Sequence, residues 1–152
     1  MTRDYLSFDG MWGARCERKI VVFTGDPGEG AVGTVDLFTV TGAVHVRLVC
    51  ICTENLAEAG ATATIQVGIA GTANTFIAQV NAVEIDAGEV WHDGTPDSGN
   101  ELWSVTTVTA ERILANGQDI IATIGAQNVT DGTLVFTAFW TPLTAGALVV
   151  AA

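Results

Sequence analysis

The stretch AVHVRLVCIC, residues 43–52, alternates its side chains with period two and carries the clearest strand signal in the chain. Successive side chains of an extended strand point to opposite faces of the sheet. One face of this strand therefore receives an unbroken apolar row: Val44, Val46, Leu48, Cys50 and Cys52. The other face is half apolar, because Val49 and Ile51 follow the polar His45 and Arg47. We therefore expect this strand to be covered on both sides.

The composition favours the same class of structure throughout the chain. The 152 residues fit one domain and include 20 Thr, 18 Val and 17 Gly, but a single Lys. Thr and Val suit a pleated, half-buried surface and Gly suits turns, whereas residues typical of helix surfaces are sparse. With 49% hydrophobic and 15% charged residues, extensive disorder is excluded. We predict an all-β protein.

Strand-like segments recur along the chain at a spacing of about 8–12 residues, which is typical of a sandwich or barrel. A break with one helical turn is expected at residues 54–60. The pair Asn116-Gly117 predicts a β-hairpin that joins its two flanking segments. The fold class that we predict is an antiparallel β-sandwich, a jelly roll, with an extended N-terminal arm. The predicted strands are residues 20–24, 34–40, 43–52, 62–69, 76–85, 89–91, 101–109, 112–114, 118–124 and 133–141.

Charge divides the chain into an arm (residues 1–19), a sandwich domain (20–143) and an apolar tail (144–152). The net charge is −11, but residues 1–19 carry +1 and the remainder −12. This balance excludes nucleic acid as a partner, because phosphate contacts need cations. Aromatic residues beside Arg are typical of protein-binding anchors. The arm either covers one end of the core or binds a partner, and its candidate partner-binding residues are Arg3, Tyr5, Phe8, Met11, Trp12, Arg15, Arg18 and Lys19.

A glycine motif, Gly28-Glu29-Gly30-Ala31-Val32-Gly33, matches the spacing of a dinucleotide-binding loop. In such a loop the third glycine must open a helix whose N-terminus holds the pyrophosphate. The residues that follow here, TVDLFTV at 34–40, favour a strand instead. We therefore expect no nucleotide and no other cofactor.

Residues for catalysis or metal binding are few. None of the three serines lies in a G-x-S-x-G motif, and His45 and His92 have no evident nucleophile as a partner. Cys50 and Cys52 share a strand face but lack the second Cys or His pair of a closed zinc site, so we interpret them as buried thiols. We expect neither an enzyme nor a metal site. No run of 18 apolar residues predicts a membrane-spanning helix.

Two further features leave alternatives open. An acidic set could bind calcium or form a solvated edge, and the second interpretation is favoured because the spacing matches no calcium-binding loop. Trp91 and Trp103 flank this set and form either a sugar-stacking platform or part of the core. The acidic set comprises Glu84, Asp86, Glu89, Asp93, Asp97 and Glu101.

The strand pattern over residues 20–143, the Gly, Thr, Ala and Val bias and the ending TLVFTAFWTPL at 133–143 resemble small structural proteins of tailed bacteriophages. In particular, the chain resembles the jelly-roll decoration (cement) proteins of phage heads. The resemblance implies a homotrimer on the outer surface of the virion, seated between capsomers of the major capsid protein. The alternative is a glycan- or ligand-binding jelly-roll module of a phage tail, fibre or baseplate. Neither function involves a membrane or nucleic acid.

Overall fold

A computed structural model describes residues 15–58, 60, 62–93, 96 and 111–152. These residues form two antiparallel β-sheets of five strands each, packed face to face, and include no α-helix. The predicted all-β sandwich is therefore confirmed. Several predictions lie outside the described residues: the strand 101–109, Trp103, Asp97, Glu101 and the arm residues Arg3, Tyr5, Phe8, Met11 and Trp12.

The first sheet is built around the strand that carries the strongest sequence signal. Its strands are β1 (Arg15–Val22), β9 (Asp131–Pro142), β3 (Val44–Ala57), β6 (Val90–Trp91) and β7 (Glu111–Leu114). β9 lies between β1 and β3, and β6 and β7 both pair with the other edge of β3. Because β6 and β7 run in the same direction along that edge, they share one strand position.

The second sheet covers the inner face of the first. In spatial order its strands are β10 (Leu148–Ala151), β2 (Gly33–Thr41), β8 (Ile120–Gly125), β4 (Thr64–Ile69) and β5 (Thr72–Asn81). A 3-10 turn, Ala82–Glu84, follows β5. The strands of this sheet are antiparallel throughout.

The strand order is that of a jelly roll. If β6 and β7 are counted together as position 6, then β8 is position 7 and β9 is position 8. The strand order is then 1-8-3-6 in the first sheet and 2-7-4-5 in the second. This arrangement is the double Greek key that defines the jelly roll. β10 is an additional strand beside β2.

The core lies between the sheets and consists of the alternate side chains of each strand. The apolar row of β3 from Val44 to Cys52 is buried, with exposures between 0 and 3%. The opposite row is only partly covered, and Ile51 is 37% exposed. The expectation that this strand is covered on both sides is thus wrong for the described residues. The largest fully buried side chains include Trp91, Phe23, Phe38, Phe136 and Leu37.

Two local predictions need correction. β3 continues to Ala57, so residues 54–57 are not a break. Asn116-Gly117 does form a turn, with Gly117 at φ +79°, but the flanking strands β7 and β8 belong to different sheets. The turn is held by β2 instead, because Gly117 N–H donates to the carbonyl of Val40 at 3.0 Å and Asn116 Oδ1 accepts from Gly42 N–H at 2.9 Å.

The glycine motif forms a turn and a strand start, as the β-prone residues after it predicted. Gly30 has a φ of +118° and its carbonyl accepts from Val129 N–H at 2.8 Å. Gly33 is the first residue of β2, and no helix begins there.

Both termini of the described chain belong to the sandwich. Residues 15–19, which were assigned to the arm, are part of β1 and pair with β9. Leu148–Ala151, within the predicted tail, pairs with β2. No helix among the described residues is long and apolar enough to cross a membrane.

Candidate interaction surface

The outward side chains of the first sheet form a surface that is unusually apolar for a solvent-facing sheet. Strand alternation places Ile20 and Val22 of β1 and Ile51 of β3 on this side, with exposures of 53, 55 and 37%. Val135 of β9 pairs with both Ile20 and Ile51 and completes an apolar row across three strands. We call these residues, with Arg18, Arg47 and Phe139, the outer face. Contiguous exposed apolar side chains mark interaction sites.

The outward side of the first sheet carries charges of both signs, because Glu111 pairs with Arg47 and Glu54 Oε2 accepts from Thr133 Oγ1 at 3.0 Å. The Arg47 guanidinium lies over the ring of Phe139, 5.3 Å from its centroid. Such a cation–π contact holds the guanidinium flat against the sheet. Arg18 is exposed on the neighbouring strand and has no salt bridge among the described residues. A partner that approaches this surface would therefore meet apolar side chains interspersed with arginines and with these two carboxylates.

The three described residues of the predicted partner-binding set do not point the same way. Arg18 lies on the outer face, as stated. The Arg15 guanidinium lies 5.1 Å from the centroid of the Trp140 ring. Lys19 Nζ donates a hydrogen bond to the carbonyl oxygen of Ala152. The set is thus divided between the outer face, the end of β9 and the edge where the two sheets meet.

The sequence argument did not single out the apolar residues of the outer face. The signal was present, because β1 reads RCERKIVV and Ile20 and Val22 share its exposed side with Arg18. The second row of β3, Val49 and Ile51, was noted but assigned to a covered surface. Two strands whose outward rows are both apolar would have indicated an exposed binding face.

Carboxylates gather at one end of the sandwich, away from these arginines. The loops after β1, β3, β5 and β8 meet there, as the hydrogen bonds Val129 N–H to Gly30 (2.8 Å) and Leu56 N–H to Ile85 (3.4 Å) establish. All five described cations lie outside these loops, in β1, β3 and β7. The carboxylates at this end are Asp26, Glu29, Glu54, Glu58, Glu84, Asp86, Glu89 and Asp131.

The acidic set that was a calcium candidate is divided by burial. Glu89 is fully buried, and its Oε2 accepts from Asp86 N–H at 2.8 Å, so it closes the turn before β6. Glu84 is exposed. Within the described part of the chain, no three His, Cys, Asp or Glu side chains lie close enough to hold a metal ion.

The thiols and imidazoles occupy different environments. Burial raises the pKa of the Cys50 thiol, and it raises that of Cys52 to about 11 against a lesser opposing effect from a backbone hydrogen bond of Glu54. Both thiols are therefore neutral and poorly nucleophilic at neutral pH.

Each imidazole lies beside a carboxylate. His45 Nε2 lies 3.4 Å from Glu111 Oε2, and His92 Nδ1 lies 3.5 Å from Asp93 Oδ2.

Trp91 belongs to the core. It is 1% exposed, and its indole N–H donates to the carbonyl of Asp93 at 3.0 Å. A buried indole cannot stack on a sugar, so this half of the predicted glycan platform is absent.

A groove of about 280 Å³ lies beside the outer face, between the edge of β1 and the start of β2. Lys19, Ile20 and Val22 form one wall, and Val35 and Glu29 form part of the other. Thr24 Oγ1 donates to Glu29 Oε2 at 3.0 Å and fixes that carboxylate.

Comparison with known proteins gives a likeness of fold. No protein-family model matches this chain, and neither does any curated protein. The chain is similar to a chain of the acidic stable capsid structure of Helicobacter pylori bacteriophage KHP30, with a TM-score of 0.55, 14% identity and coverage of 90% of this chain and 92% of that one. A chain of the cyanophage Pam1 capsid asymmetric unit matches with a TM-score of 0.46, 14% identity and 85% coverage of each chain. The resemblance to phage structural proteins is thus confirmed at the level of fold.

Proposed function

We propose that this protein is a virion structural component that decorates and stabilises a phage head by binding between capsomers of the major capsid protein. The observation that carries the proposal is the outer face, an exposed apolar and arginine-bearing surface on a jelly roll whose fold is shared with a phage capsid chain. Apolar surface of this kind suits permanent assembly, in which subunits bury it against one another. No catalytic step is part of the proposal.

The charge distribution supports a place on the outer surface of the capsid. Residues 20–152 carry −12, and the loops at the acidic end of the sandwich contain none of the five described cations. Packaged DNA would repel such a body. Arg18 of β1 and Arg47 of β3 lie on the outer face, so this side of the sandwich is the one that we orient towards the shell.

A homotrimer and a role for the N-terminal arm complete the proposal. In a closed trimer each weak contact occurs three times, so the effective concentration strengthens binding to the shell. The arm residues Arg3, Tyr5, Phe8, Met11 and Trp12 would add aromatic and cationic anchors to those of β1.

The test uses shells that are assembled from the major capsid protein of the same phage and that lack this protein. The protein should bind to them stoichiometrically. We expect saturable co-sedimentation with the shells and a mass in solution of three chains. Deleting residues 1–14, which leaves β1 intact, should weaken binding while the circular dichroism spectrum is preserved. Absence of binding by the full chain would refute the proposed function, and unchanged binding by the deletion variant would refute the role of the arm.

A further inference from the structure

The edge of β1 that faces away from β9 presents backbone groups that have no partner among the described residues. Phe23 N–H donates to the carbonyl of Gly132 at 2.9 Å, which fixes which residues of β1 bond to β9. In an antiparallel pair the residues that bond to a given neighbour alternate. Val21 and Lys19 therefore bond to β9, whereas Val22, Ile20 and Arg18 direct their N–H and C=O groups to the opposite side.

Beside the groove, the outward N–H and C=O groups of β1 form no hydrogen bond to another described residue. Neither Ile20 nor Val22 makes a backbone hydrogen bond to another described residue. Both residues line the groove of about 280 Å³. Towards the start of β1 the edge is held by β10, since Lys19 bonds to Ala152 and Ala151 N–H donates to Glu17 Oε1 at 3.3 Å. An open strand edge is a template for an added strand.

We propose that the edge of β1 at Arg18–Ile20–Val22 binds an extended segment of another protein, which adds a strand to the first sheet. Resting on the proposed function, we place this segment in the capsid shell. Charge complementarity sets its chemistry: a carboxylate opposite Arg18 and β-branched apolar side chains opposite Ile20 and Val22. The outward side chains of such a strand would extend the apolar row of the outer face.

The described edge strands of the same chain do not match this chemistry. β5 and β10 carry no carboxylate, and in β7 the acidic Glu111 is followed by Arg112. β1 itself carries Arg15, Arg18 and Lys19 against a single Glu17, so two β1 edges would repel each other. A different protein is therefore the occupant that the charges favour.

The first experiment needs no shell and uses two blocked peptides as probes. The peptide Thr-Val-Thr-Val-Thr-Glu presents the proposed pattern in antiparallel register, and its partner is N-methylated at both Val residues. We expect the unmodified peptide at millimolar concentration to shift the NMR amide signals of Ile20 and Val22 and to slow their hydrogen exchange. The methylated peptide should do neither. No shift, or equal shifts with both peptides, would overturn the proposal.

The free protein distinguishes the other possible occupants. The amides of Ile20 and Val22 should exchange quickly, while that of Val21 is protected by β9. Protection that disappears on deletion of residues 1–14 would assign the edge to the chain's own N-terminal segment. Protection that rises with protein concentration would assign it to a second copy. Either result overturns the proposal.

The variant Ile20→Pro removes one outward N–H and leaves the bonds to β9 in place, which is the edge position that proline tolerates. Ile20→Ala is its matched control, because it shortens the side chain and keeps the donor. We expect Ile20→Pro to bind the peptide and the shells five- to tenfold more weakly than Ile20→Ala, about the effect of one hydrogen bond. Equal binding by the two variants would refute strand addition.

A second variant covers the case in which Ile20→Pro does not fold. Arg18→Glu keeps the backbone and reverses the charge, so it should weaken binding of the acidic peptide and bind a Lys-ended version more tightly. If wild-type protein binds shells but these variants bind them equally well, strand addition fails and the proposed function stands. If the protein binds the peptide as expected but does not bind the shells, the proposed function fails and strand addition at this edge stands.

Discussion

Glu17 Oε1 accepts a hydrogen bond from the backbone N–H of Ala151 at 3.3 Å, across 134 residues of sequence. Glu17 lies in the first sheet and Ala151 in the second, so this bond and that of Lys19 to Ala152 tie the sheets together along one side. β10 also adds a strand to the otherwise open edge of β2 and buries Val149, which is 1% exposed.

Deleting residues 148–152 should therefore destabilise the sandwich. The variant loses the burial of Val149 and the hydrogen bonds to β2, and we expect the free energy of unfolding to fall by about 2–4 kcal/mol in urea titrations. Lys19→Met, which removes only one of the side-chain bonds, should cost about 0.5–1 kcal/mol. A truncated protein as stable as wild type would contradict the structural role of β10.

The glycines of the G-x-G-x-x-G stretch should respond unequally to substitution. In Gly30→Ala the new Cβ would lie 2.1 Å from the carbonyl oxygen of Val129, at a φ of +118°. Backbone must then move, and we expect a loss of about 3 kcal/mol or more. Gly28→Ala meets nothing within 4 Å at φ +80° and should cost about 1–2 kcal/mol. Thermal unfolding of both variants measures the difference, and equal losses would show that the close packing of Gly30 is not the cause.

The buried thiol of Cys52 makes stability depend on alkaline pH. Its pKa is raised from 9.0 to about 11 in the folded protein, so the unfolded chain releases this proton first as the pH rises. The contribution of the neutral Cys52 thiol to the free energy of unfolding is complete below pH 9 and is lost between pH 9 and 11. The loss amounts to at most about 2 kcal/mol. Cys52→Ala removes this dependence, so the gap in unfolding free energy between wild type and variant should narrow over that range. A constant gap would contradict the assignment.

Reducing the apolar character of the outer face should weaken shell binding without unfolding the protein. Val22→Thr and Ile51→Thr together keep β-branched residues at two exposed strand positions, so stability should stay within about 0.5 kcal/mol. We expect the affinity for shells to fall about tenfold, as for apolar contacts near the centre of an interface. Val150→Thr, at a position 38% exposed on the second sheet, is the matched control and should bind like wild type. If both changes reduced the affinity for shells equally, the outer face would not be the surface that binds the shell.

Local patterns predicted much of this structure because strand alternation is a property of adjacent residues. The row from Val44 to Cys52 is buried as its period indicated. The β-prone residues after Gly33 correctly predicted that a strand, not a helix, follows the glycine motif. Asn116-Gly117 correctly marked a turn, but a turn signal carries no information on which sheet receives the following strand.

Long-range pairing could not be derived in the same way. β1 pairs with β9 across more than a hundred residues, and any strand with a matching apolar row would satisfy the same local rule. The burial of Glu89 depends on β3, where Cys52 N–H donates to the Glu89 carbonyl at 2.9 Å, and that of Trp91 depends on its pairing with Cys50. These are contacts between distant segments, which leave no periodic trace.

The sequence by itself determined the β class, the apolar rows and the separation of a slightly basic start from an acidic remainder, because composition and alternation act within a few residues. The tertiary structure decided which rows became core and which remained outside. It packed the row of Val44 against the second sheet and left that of Ile51 exposed, because each of the two sheets buries only one face. Among the described strands, it also left Ile20 and Val22 at an open edge beside a groove, because β9 is the one strand there that pairs with β1.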